Sequence, residues 1–220
     1  VSKQSIPWTE PGAWKAIQGW IRAEIRHCDG KMEGARRLAR DIAAQMALLY
    51  PIMDELCTAT CPWCPDSCCL GAKIWFDAKD LLLFHLTGRT LPPAQPIASW
   101  QDRCRYAGPR GCRLNRVLRP WICTWYLCPT QKARLRSREA EAWAHIEKRL
   151  GGIGEARKRL ETEFSAVAGI EDLVFAFNLD FEFYKEDTLG EKHKPRIVIA
   201  EDYRILREGL RALLCLDDEF

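Results

Sequence analysis

Long apolar runs, export signals and clustered histidines are all missing from this sequence. Apolar stretches are short, as in Leu81-Leu82-Leu83-Phe84, so no segment is expected to span a bilayer. The first residues lack a basic start followed by an apolar stretch, and no signal peptide is expected. Histidines number four. His27, His145 and His193 have no ligand-like spacing, and His85 sits in an apolar helical run that reads as core. No glycine-rich cofactor loop is visible, and no repeat at solenoid spacing. Apolar mass is not lacking: 47% of the 220 residues are apolar, which excludes a wholly disordered chain. The length suits one full domain with a fragment, or two small domains.

Cysteine is the residue in excess. There are 11, and nine of them lie between Cys57 and Cys128, while Cys28 and Cys215 stand alone. The count is odd and nothing points to export, so a cytoplasmic setting with reduced thiols is expected. In such a compartment clustered cysteines hold metal or do redox chemistry more often than they form structural bridges. The order is Cys61-x2-Cys64-x3-Cys68-Cys69, then Cys104, Cys112, Cys123 and Cys128, with Cys57 as a further candidate. Short Cys-x2-4-Cys spacing lets two thiolates of one loop reach the same ion, at about 2.3 Å for zinc. Eight thiolates would serve two tetrahedral zinc sites, or one iron–sulfur cluster with cysteines left over. Disulfides, free core thiols and a redox dithiol at Cys61-Pro-Trp-Cys64 are the competing readings.

Helical periodicity surrounds this irregular centre. Trp14, Ile17, Ile21, Ile25 and Cys28 make one apolar stripe, and Ala35, Leu38, Ile42, Met46 and Leu49 a second, with Pro51 just beyond its end. The break at Asp29-Gly30 predicts a helical hairpin. Residues 57–71 have no period and read as loop. Asp77 is a plausible N-cap for a short helix through Leu81, Leu82, Phe84 and His85, closed by Gly88. Residues 104–112 are turn-rich. Leu135, Trp143, Ile146 and Leu150 predict a helix ended by Gly151-Gly152, and Ile153, Ala156, Leu160, Phe164 and Val167 another ended by Gly169. Alternation from Leu173 to Phe183 favours a strand, and residues 185–195 read as a linker.

The cysteine order, with Gly111-Cys112-Arg113-Leu114 and Arg119-Pro120-x2-Cys123, resembles the YkgJ-type cysteine-cluster proteins. These are zinc- or iron-chelating domains named for a CxxCxxCC signature, and the resemblance covers roughly residues 57–131. It implies metal binding by Cys61, Cys64, Cys68, Cys69, Cys104, Cys112, Cys123 and Cys128. The second gap is three residues here rather than two, which leaves open whether Cys57 or Cys64 stands outside the ligand set. A related cysteine pattern occurs in flagellin lysine N-methylases, so a protein lysine N-methylase is the enzyme alternative, beside a thiol redox catalyst. Arg113, Arg116 and Arg119 would offset thiolate charge. Trp121, Trp125 and Tyr126 would shield the cluster from water.

Residues 195–214 carry a second resemblance. An apolar run, Ile197 to Ala200, ends in Glu201-Asp202 and leads into a helix with Ile205, Leu206, Leu210, Leu213 and Leu214. This looks like the opening of a response-regulator receiver domain, and by that likeness Glu201 and Asp202 correspond to its acidic metal-binding pair. The phosphoacceptor position would fall beyond Phe220, so the segment reads as a truncated βα fragment.

Charge is segregated: residues 103–159 hold 15 Lys/Arg against four Glu, and residues 160–191 hold nine Asp/Glu against one Lys. Solvated helix faces explain such runs more often than a nucleic-acid footprint, so nucleic acid ranks behind metal as a partner. The expected chain is mainly α. Residues 1–184 form a helical domain around a cysteine-ligated metal centre, 185–195 a linker, and 196–220 the receiver-like fragment. The expected function is metal binding, by zinc or an iron–sulfur cluster, in a redox or metal sensor with a signalling protein as partner.

Overall fold

Trp14, Ile17, Ile21 and Ile25 can share one side of the chain only in a helix, because steps of three and four close a turn of 3.6 residues. In the computed structural model, which describes residues 6–64, 74–109, 111–138 and 141–170, helix α1 spans Pro11–His27 and buries those four residues. Cys28 caps it, half-buried, and its thiol donates toward the Val167 carbonyl at 3.7 Å. That agrees with a structural thiol on the apolar stripe. A 3-10 turn, Asp29–Lys31, leads to α2.

Helix α2 spans Glu33–Thr60 and corrects two expectations. It does not stop before Pro51, and Cys57 lies on its last turn rather than in a loop. Pro51 removes one backbone hydrogen bond and crowds the preceding turn. The apolar stripe nevertheless continues past it, with Leu49, Met53 and Leu56 all buried, and that burial outweighs the local loss. The hairpin expectation is also modified. Helix α1 packs mainly on α3, spanning Ala78–Leu86, and α2 packs mainly on α3 and on α6, spanning Ala142–Ala168.

Asp77 is the N-cap of α3, as its position predicts. Its Oδ1 accepts the Asp80 amide at 2.7 Å, while Asp80 Oδ2 accepts the Asp77 amide at 3.2 Å, a reciprocal capping box. Gly88, at φ +69, takes the left-handed conformation just past the helix end. Helix α3 is buried almost all round, which suits its unbroken Leu81–Phe84 run. Trp14 and Phe76 meet at 5.7 Å, Phe76 and Phe84 edge-to-face at 5.9 Å, and the Trp14 indole donates to the Pro92 carbonyl at 3.0 Å. Gln95 is fully buried and bonds both backbone groups of Phe76, fastening the loop after α3 to the core.

Residues 104–125 make only small elements. Strands β1, Ala107–Gly108, and β2, Gly111–Cys112, pair antiparallel, with Ala107 opposite Cys112. A 3-10 turn, Arg116–Leu118, and the four-residue helix α4, Ile122–Trp125, follow. Helix α5 spans Pro129–Arg138.

The glycine pair at 151–152 does not end a helix: α6 runs through Gly151, Gly152 and Gly154. Each glycine costs about 1 kcal/mol relative to alanine in a helix interior. Ile146, Leu150, Ile153, Leu160 and Phe164 are nevertheless all buried on one side, so packing on α2 keeps the helix whole. Leu135 and Trp143 consequently sit on different helices. Gly169, at φ +71, ends α6 as expected. Among the described residues the fold is therefore mainly α with one small sheet. The strand expected after Leu173, the linker and the receiver-like segment lie outside the described residues.

His85 occupies the inner part of α3 with its Nε2 buried and unpartnered. Burial, helped by Arg22, lowers its pKa from 6.5 to about 4. Its neutral form therefore adds stability above 6.5, and this is lost as pH falls from 6.5 towards 4, where unfolding lets the ring take a proton. The urea midpoint should drop between pH 7 and pH 5, and His85→Leu should drop less over the same interval.

Candidate metal centre

Two groups of thiols are carried by different kinds of structure. Cys57 and Cys61 stand one helical turn apart at the end of α2, so their side chains lie on one face. Cys61 opens a 3-10 turn, Cys61–Trp63, and Cys64 follows it, exposed. The Thr60 hydroxyl donates to the Leu56 carbonyl at 2.7 Å and lies 3.9 Å from Cys61 Sγ. Cys104, Cys112 and Cys123 form the second group. Cys104 precedes β1 and is buried, Cys112 lies in β2, and Cys123 lies in α4.

Arg116 joins the two groups. Its side chain is almost fully buried, and a 3-10 turn capped by Asn115 aims it inward. Nε donates to Asp54 Oδ1 at 2.8 Å, Nη2 to Cys57 Sγ at 3.2 Å, and Nη1 to the Cys123 carbonyl at 3.0 Å. Asp54 and Cys57 belong to α2 and Cys123 to α4, so one guanidinium fixes α4 against the last turn of α2. Gln131 of α5 ties in the last cysteine. Its Nε2 donates to Thr60 Oγ1 at 3.3 Å, with Cys57 Sγ and Cys61 Sγ at 3.7 and 3.9 Å, and its Oε1 accepts the Cys128 amide at 3.3 Å.

The thiols differ in charge preference. A hydrogen bond from Cys61 lowers the Cys57 pKa most, Arg116 adds to it, and burial opposes both; the result is about 5, against an ordinary 9.0. Burial pushes the Cys123 thiol far up, and negative charge on Cys112 and Cys104 pushes it further. Burial likewise raises Cys104, with Cys112 acting in the same direction. Neighbouring thiolate charge therefore opposes the ionisation of Cys104 and Cys123, and a cation beside them would remove that opposition. Cys28, Cys57, Cys64, Cys104, Cys112, Cys123 and Cys128 are free thiols. The donor set fits a thiophilic metal by its chemistry. Among the described residues, however, no three Cys, His, Asp or Glu side chains are gathered as ligands. Cys68 and Cys69 lie outside the described residues.

The three arginines expected beside the thiols differ in use. Arg116 alone has a bond to a thiol among the described contacts. Arg113 donates to the Arg105 carbonyl and Arg119 to the Leu114 carbonyl, bracing the turns. Trp121 is half-buried against the core, but Trp125 and Tyr126 are exposed, contrary to a shielding role for those two. His27 and His145 are exposed. Asp54 and Gln131 were not foreseen. Gln131 carried one faint signal, three residues beyond Cys128 and thus able to cap that turn. No family model, curated protein or solved structure matches this chain.

In the reduced, metal-free protein Cys57 should be largely thiolate at neutral pH. The stability it contributes is complete above the ordinary thiol range and is lost as pH falls through about 5. Iodoacetamide labelling of Cys57, mapped by mass spectrometry, should level off well below pH 9, and Arg116→Met should shift the profile upward.

Proposed function

We propose that the chain is a metal-binding protein whose zinc ions or iron–sulfur cluster are held by thiolates of residues 57–128. The observation that carries this reading is that Cys104, Cys112 and Cys123 are thiols without a disulfide on separate small elements, and that negative charge on Cys112 opposes the ionisation of Cys104 and Cys123. Disulfide chemistry does not require such an arrangement, whereas a cation satisfies it. Cys61, Cys64, Cys68, Cys69 and Cys128 are the other proposed donors, with Cys57 as an alternate. Arg116 serves as a counter-charge, since a zinc ion with four thiolates carries a formal 2−. A bound zinc would act as a closed structural site and an iron–sulfur cluster as an electron carrier. The proposal includes a cytoplasmic setting, where thiols stay reduced. It also includes a sensing role, which rests on the receiver-like character of residues 196–220.

One geometric fact favours a second reading. Cys57 and Cys61 share a helix turn and a hydrogen bond, with Arg116 beside them. Such a pair could pass two electrons and two protons to an acceptor disulfide, becoming a disulfide itself while the acceptor becomes two thiols.

Anaerobic purification followed by metal and sulfide analysis separates the readings. Metal binding predicts at least about one metal ion per chain, lost in Cys104→Ser and Cys123→Ser but retained in Cys28→Ser. Brown colour with broad visible absorption identifies iron–sulfur; bound zinc without colour identifies closed zinc sites. A metal-free protein whose Cys57 and Cys61 cycle with a disulfide reagent would replace the first reading with the second.

A further inference from the structure

Helix α4 holds Cys123 but has only four residues, and an isolated helix of that length does not persist in water. Something outside must fix it. Arg116 holds it through the Cys123 carbonyl. A second contact holds the residue that leads into it. The Trp121 amide, just before α4, donates to Asp80 Oδ1 at 3.1 Å. The same oxygen accepts Arg157 Nη1 at 2.8 Å, while Arg157 Nη2 bonds Asp77 Oδ1 at 2.7 Å. The Arg157 guanidinium also lies 5.4 Å from the Trp121 ring centroid. Arg157 and Asp80 are 1% and 2% exposed, so this is a desolvated pair within the core.

We propose that Arg157 of α6 is a positioning residue for the metal centre, acting through Asp80 and the Trp121 turn on Cys123. The inference rests on the metal-binding reading. A buried ion pair gives little stability over apolar residues of the same volume, because desolvation offsets the attraction. Fold stability alone does not call for it. What the pair supplies that leucine or methionine could not is direction: an oxygen held in place to receive one amide, and a planar cation laid over one indole. Both contacts end on Trp121. From there the Trp121 carbonyl accepts the Thr124 and Trp125 amides at 2.8 and 3.0 Å, so the orientation of Trp121 passes directly into the turn that holds Cys123. The turn that holds Cys123 is thus fixed at two points, by Asp80 at the Trp121 amide and by Arg116 at the Cys123 carbonyl.

The test compares cobalt(II) binding by the wild type and by Asp80→Leu/Arg157→Met, which removes both charges together and leaves neither stranded. Far-UV circular dichroism and urea unfolding verify that the variant folds. The expected result is a folded double variant whose cobalt affinity falls by about 10- to 100-fold, with an altered thiolate-to-cobalt absorption band. Ile17→Ala, a destabilising change in α1, should leave that band unmoved, because a loss of stability alone does not alter ligand geometry. If the double variant does not fold, Arg157→Lys decides, since it keeps the charge but loses the fork and the stacking on Trp121. A shifted band in the lysine variant supports the proposal. A folded double variant, or failing that a lysine variant, with wild-type affinity and band overturns the positioning role and leaves the metal reading standing. A wild-type protein that takes up neither cobalt nor iron overturns both.

Discussion

A single buried guanidinium, that of Arg116, meets the last turn of α2 and the turn holding Cys123. Each of its three nitrogens donates, to a carboxylate, a carbonyl and a thiol, and the three acceptors lie on two elements far apart in sequence. Desolvating an arginine is costly, and the cost is tolerable only when nearly every donor finds a partner. This requirement fixes several things together. Asp54 must lie one turn before Cys57, the 116–118 turn must point inward, and the Cys123 carbonyl must face α2. Moving any of the three segments would strand charge in the interior.

The helical frame and the cysteine-bearing segments follow different physics. Helices α1, α2, α3 and α6 bury continuous apolar stripes, and their order needs no ligand. Residues 104–125 have a two-residue strand pair, one 3-10 turn and a four-residue helix. Such pieces do not hold their shape alone. Polar contacts with the helices hold them here: Arg116 reaches out to Asp54 and Cys57 of α2, and Asp80 with Arg157 takes the Trp121 amide and ring. In the proposed reading the frame presents thiols and the metal completes their arrangement.

Apolar periodicity foretold the helices well, and it misjudged their ends for a consistent reason. Pro51 and the Gly151-Gly152 pair are strong local breakers, yet both lie inside helices, because Met53, Leu56, Ile153 and Leu160 continue the buried stripe beyond them. Local propensity is worth about 1–3 kcal/mol per residue and a buried side chain about 1.5–3, so a run of buried residues prevails. Asp77 was legible as a cap because its chemistry is local. The cysteine spacing was legible as donor chemistry, and Arg116 as one of three cations. The roles of Asp54, Asp80, Gln131 and Arg157 were not, since each depends on a partner brought close only by folding. Asp80 and Arg157 are 77 residues apart, and no spacing rule links them.

Pro51 has one more effect. It has no amide hydrogen, so the Ala47 carbonyl loses its usual helical donor and the ladder of α2 is interrupted there. Eighteen residues of α2 precede it, and the nine that follow carry Asp54, Cys57 and Thr60. The segment holding Asp54, Cys57 and Thr60 therefore stays in line with the helix before it through the burial of Met53 and Leu56 and through the grip of Arg116, not through an unbroken ladder.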